Sequence, residues 1–255
     1  MTKRSFAVAL AMLALSLDLT AQLKPKTKGE YDALNKMFSA TTPDERIAAG
    51  EEVITNFEKT DFKSIVFFTI AQAYVAKKDD VKAIVYAERS LEADSKSYQA
   101  PLMLAQLIAV KVRDNDLDRD ERYNEAEKYA KQALENIPGA TKPNATLTDD
   151  QWANEKKNLA ADAHQYLGII AMGRKKYDVA VTEFTASVEG AHDPDPAAIV
   201  RLAAADNKAG KYDDAIANAD KAMALPNVAA SIKQFAQSEK VRAFTAKQAA
   251  EKKQQ

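Results

Sequence analysis

The stretch that decides how this chain folds is Ala163-His164-Gln165-Tyr166-Leu167-Gly168-Ile169-Ile170-Ala171-Met172-Gly173-Arg174-Lys175-Lys176-Tyr177-Asp178-Val179-Ala180-Val181-Thr182-Glu183-Phe184, followed by a polar turn closed by Pro194 and Pro196. It reads as two helices joined by a turn. Gly168 and Ala180 are small because the two helices must approach closely there, and Tyr177 and Phe184 fill the space beside that contact. A larger side chain at either small site would push the helices apart.

The same signature recurs outward from this stretch. Ala180 has counterparts at Ala83, Ala126 and Ala215, separated by 43, 54 and 35 residues, and Tyr123, Tyr177 and Tyr212 each precede their alanine by three positions. The two longer steps require insertions of about 9 and 20 residues, which repeat arrays place in loops or helix extensions. One is the acidic run Asp114 to Arg122. The other is Gly139 to about Asn158, where Thr148-Asp149-Asp150-Gln151 predicts the cap of an overlong helix carrying Trp152.

Around these lie three further units. An atypical first one combines Tyr31, Leu34, Met37 and Phe38 with a helix start at Thr42-Pro43-Asp44-Glu45 and a stripe of Ile47, Val53, Ile54 and Phe57. A second runs from about Ser64 to Asp94, with Phe67, Ile70, Ala71 and Tyr74 on one helix and Ala83 on the next. The last spans Pro196 to Leu225 and is closed by Pro226. Val228 to about Lys247 predicts an amphipathic helix whose Ile232, Phe235, Val241 and Phe244 cover the open end of the stack, with a polar, frayed tail at 251–255.

Leu167, Gly168, Ala180 and Phe184 fall on the leucine-glycine, alanine and phenylalanine places of the tetratricopeptide repeat, a helix-turn-helix unit of about 34 residues that this stretch resembles. His164 stands where that pattern prefers Trp, and Ala171 where it prefers Tyr. The resemblance, to the exported bacterial type of such proteins, implies an all-α, right-handed α-solenoid of helix-turn-helix units over residues 30–250, ending in a C-terminal capping helix. Composition agrees: seven Gly and eight Pro in 255 residues, with 46% hydrophobic content, favour a packed helical chain.

Residues 1–21 read as a signal peptide, with Lys3 and Arg4 before an apolar core from Phe6 to Leu17 and Ala21 before a cut at Gln22. The apolar run is too short for a membrane span of roughly 20 residues, so no stable membrane anchor is expected after cleavage, and the product is expected to be periplasmic or secreted. With no cysteine there is neither a lipoprotein anchor nor a disulfide. Residues 22–29 form a basic lead expected to be mobile. Thirty-six Lys and Arg against 37 Asp and Glu provide no general attraction to nucleic acid.

Chemistry is sparse. The two histidines, His164 and His192, fit no metal pattern, and no phosphate loop or nucleophile motif is present, so neither an enzyme nor a cofactor is expected. His164 is expected within the helix packing. Asn144-Ala145-Thr146 matches a glycosylation acceptor but is given no weight. Asp114, Asp116, Asp118, Asp120 and Glu125 fall on places one, three, five, seven and twelve of a calcium loop. Arg119 occupies the place that wants Gly, and the plainer reading is acids gathered before a helix start.

What the resemblance implies about function is a partner held along the concave face built by the first helix of each unit. Carried across in register, that face holds Phe68 and Gln72, then Leu102, Met103 and Gln106, then Gln165, Tyr166 and Ile169, then Arg201. The family's mode of gripping a peptide's terminal carboxylates uses Lys, Asn and Arg, whereas those places here hold Phe68, Gln72, Met103, Asp162 and Tyr166. A scaffold for a protein or extended peptide is therefore expected. Two alternatives stay open: a self-assembling structural subunit, and apolar face residues that pack within the chain instead of meeting a ligand.

Overall fold

The computed structural model describes residues 23–143 and 146–254. The proposed signal peptide and Asn144 lie outside the described residues. Among those residues there are eleven α-helices and no strand: α1 Lys28–Ser39, α2 Pro43–Asn56, α3 Lys63–Ala76, α4 Asp80–Ala93, α5 Gln99–Ala109, α6 Arg119–Asn136, α7 Asp149–Gly173, α8 Tyr177–Gly190, α9 Pro196–Lys208, α10 Tyr212–Ala224 and α11 Ala230–Gln254. They run as consecutive pairs followed by one last helix, the all-α helix-turn-helix plan expected from the sequence.

The helix ends have local chemical causes. At α2, Thr42 accepts from the Glu45 N–H while the Glu45 carboxylate accepts from the Thr42 N–H, a complete capping box with Pro43 in the first turn. Thr148 and Gln151 make the same reciprocal pair at the start of α7, which runs for 25 residues and carries Trp152.

Within three of the pairs one tight turn is repeated. Lys78, Lys175 and Gly210 take φ of 61°, 60° and 77°. In each case the following N–H reaches back to the carbonyl five residues earlier: Asp79 to Tyr74, Lys176 to Ala171 and Lys211 to Asp206, at 2.8 to 3.0 Å. This is the left-handed C-terminal cap that glycine occupies without strain. Only one of the three turns uses glycine.

The described residues fall into two compact units, one comprising residues up to Leu107 with Lys131–Ala153, the other Ile108–Ala130 with residues from Asn154 onward. In the first, Leu34, Met37, Val53, Phe62, Val66 and Ile70 form a hydrophobic core. Gly50 lets α2 lie against α3, since a Cβ there would meet Ile70 Cγ1 at 2.7 Å. Glu30, 2% exposed, accepts from Thr60 Oγ1 at 2.6 Å and from the Lys26 N–H, and the Lys26 ammonium meets Asp61 and the Lys59 carbonyl, which ties Lys26 to the loop before α3. Trp152 donates to the Ala140 carbonyl and lies beside Tyr98.

In the second unit Ala180, Phe184, Val188, Ile199, Leu202 and Ala203 form the core. The Phe184 ring lies directly on Gly168, where a Cβ would come within 2.6 Å of it. Gly173 makes a second notch, filled by the Tyr123 phenol. Arg174 lies over the Tyr123 ring and bonds Glu127 and Asn124, clasping α6 to the end of α7. The last helix packs on α9 and α10, but not with the side chains expected. Ala236 and Ala243, two turns apart, are fully buried, Ile232 joins the core, and Phe235, Val241 and Phe244 are 63%, 55% and 56% exposed. Small residues let the helix approach closely, and the large ones are left beside the seam.

Candidate functional site

The first-helix residues can be located in each unit separately. In the first unit, α3 and α5 supply the face. Phe68 and Leu102 are buried, whereas Gln72, Met103 and Gln106 are partly exposed. Thr69 between them turns its hydroxyl back to the Ile65 carbonyl at 2.8 Å, which satisfies it inside its own helix.

In the second unit, α7 and α9 do the same. Gln165 and Tyr166 are buried, and Ile169 and Arg201 are partly exposed. Arg201 Nη1 donates to Gln165 Oε1 at 2.5 Å, joining the first helices of consecutive pairs through two side chains of the proposed register. Burial drives the Tyr166 phenol well above its usual range, with the Asp162 carboxylate adding to the shift and Arg201 opposing it. The phenol therefore stays neutral. Of the nine proposed contact residues, Phe68, Leu102, Gln165 and Tyr166 already pack within the chain, while Gln72, Met103, Gln106, Ile169 and Arg201 keep accessible surface. Hydrophobic spacing alone does not separate these groups, because both repeat along the same side of each first helix.

The acidic insertion is laid out differently from a calcium loop. The helix α6 already begins at Arg119, so Asp120 and Glu125 are helical, while Asp116 accepts from the Arg113 N–H at 2.8 Å and pairs with Arg122. Among the described residues no three His, Asp or Glu are grouped to hold a metal ion. His164 sits at the edge of its helix pair, its Nδ1 2.8 Å from Glu183 Oε2, which makes it a polar bridge between α7 and α8.

Two features escaped the sequence reading. On α3 and α4, Tyr74 stacks on Tyr86 at 5.4 Å and Arg89 lies 4.2 Å over Phe67. Tyr86 donates to Glu51, and burial together with that carboxylate pushes its phenol up to about 12. The other is Asp206, an acid 2% exposed on α9. It is the one acid of α9, and its depth is set by neighbours such as Asn218 on α10, which spacing along α9 does not show.

The helix pairs, the small-residue notches and the repeated turn are features of one architecture. The structure of TTC0263, a thermophilic TPR protein of Thermus thermophilus, matches with a TM-score of 0.55 at 13% identity, over 82% of this chain and 98% of that one. The fold is that of a tetratricopeptide repeat protein. Looser likenesses are the assembly chaperone of RpL4, Acl4 (TM-score 0.44, 11% identity, 90% of this chain and 100% of that one), and the APC/C hetero-tetramer Cut9-Hcn1 (TM-score 0.32, 14% identity, 95% and 58%). No protein-family model matches the chain, and no curated protein does. In TPR terms, α3, α5, α7 and α9 are first helices, and the residues they leave accessible are the candidate contact surface.

Proposed function

We propose that this chain is an exported protein-interaction scaffold that holds a protein or extended peptide against the first-helix face of its repeats. The observation that carries the reading is the Arg201–Gln165 bond, which sets side chains of consecutive first helices on one shared surface, with Ile169 accessible beside it. Apolar and amide groups on such a surface favour an extended segment bound through side-chain pockets and amide hydrogen bonds over a charged tail. Phe68 in the first unit and Tyr166 in the second are buried within the chain. The test is affinity capture from the native cell with parent chain and with Gln106→Arg plus Arg201→Glu, both partly exposed positions. Loss of the same captured species with an unchanged melting curve supports the reading; undiminished capture overturns it.

A second reading, a self-assembling subunit, draws on the exposed Phe235, Val241 and Phe244 of α11. Light scattering at micromolar concentration separates the two. A monomer removes self-assembly.

A further inference from the structure

A cleft of about 230 Å³ opens between α8, α9 and α10, and it is built around the buried acid Asp206. Val181, Val188 and Leu202 supply apolar wall. On the floor Asn218 Nδ2 donates to Asp206 Oδ2 at 2.8 Å. Among the described residues no protein donor reaches the other carboxylate oxygen, which keeps a little accessible surface on the cleft that Asp206 lines. A carboxylate removed from water to this degree is costly unless a donor or cation reaches it.

The rim carries Glu189 from α8, Asp214 and Lys221 from α10, and Lys211 from the turn before α10. Lys211 is drawn to Asp178 at 3.6 Å. Three acids against two bases leave the cleft acidic.

We propose that this cleft is a recognition pocket for a single lysine side chain of a protein partner, separate from the first-helix face. At about 230 Å³ the cleft is large enough for one such chain. Apolar walls suit a lysine's methylene stem, and the ammonium then meets Asp206 at the floor. Ammonium fits better than guanidinium. Asn218 already holds one carboxylate oxygen, leaving a single acceptor for a compact charge, whereas a guanidinium fork is matched by a carboxylate with both oxygens open. Binding weakens as pH falls and Asp206, whose carboxyl burial raises above its ordinary range, takes up a proton.

The test is a nuclear magnetic resonance titration of the full chain with Nα-acetyl-lysine amide and, separately, Nα-acetyl-arginine amide. The expected result is saturable shifts in the Asn218 side-chain amide and the Leu202 and Asp214 backbone amides, tighter for the lysine probe. Asp206→Asn weakens that binding by about tenfold or more while keeping the Asn218 contact. Ala217→Trp, at an exposed cleft position, retains Asp206 and blocks entry, so the question survives even if the first variant folds poorly. Shifts that never saturate, that persist unchanged in both variants, or that favour the arginine probe overturn the proposal.

Discussion

A single Cβ decides packing at Gly168. Any side chain there meets the Phe184 ring, which is 1% exposed and held within the core, so the ring cannot yield cheaply. Gly168→Leu should cost roughly 1 to 3 kcal/mol by overpacking, read as a fall in the urea midpoint with an unchanged slope. The opposite sign is expected at Lys175. Its left-handed φ of 60° strains a side chain that Gly210 avoids in the equivalent turn, so Lys175→Gly should stabilise the chain by about 0.5 to 1 kcal/mol.

Asp206 contributes a pH dependence of definite sign. Burial, its largest cause, raises this carboxyl above its ordinary 3.8, with Asp214 adding to that and Asn218 and Lys211 opposing it. The native state therefore holds the proton more tightly than the unfolded chain. Its stabilising contribution is full below 3.8 and is lost as pH rises through the raised native value. Asp206→Asn should accordingly gain on the parent between pH 4 and pH 7 in paired urea melts, about the range where a raised carboxyl titrates. A gap that stays constant would show that Asp206 is not desolvated.

Elements differ in how plainly the sequence announces them. The capping boxes at Thr42 and Thr148 were legible because their reciprocal bonds need only residues three apart. The repeated pairs were legible from the alanine and tyrosine register. The seam of α11 was not, because a large-residue stripe at helical spacing looks more like a core than two alanines do. That seam makes a sharp prediction. Ala236→Leu should lower the melting temperature markedly through overpacking, while Phe235→Ser and Phe244→Ser should change it little and leave helicity intact. The candidate site was legible only in part for the same reason: Phe68 and Tyr166 share a helix side with Gln72 and Ile169, and depth, which distinguishes them, is set by the neighbouring helices.

For the whole molecule, the TPR fold rests on close helix approaches, at Gly50 in the first unit and at Gly168 and Gly173 in the second. Large core side chains fill these notches, and the first helices keep Gln72, Met103 and Gln106 of one unit and Ile169 and Arg201 of the other accessible. The direct test is site-specific photo-crosslinking in the native cell, with p-benzoylphenylalanine placed at Gln106 or Ile169 on first helices and at Val85 or Val179 on second helices. The account predicts adducts of a partner at 106 and 169 and none at 85 and 179. Equal labelling at all four positions, or adducts only of the mass of two copies of this chain, would contradict it.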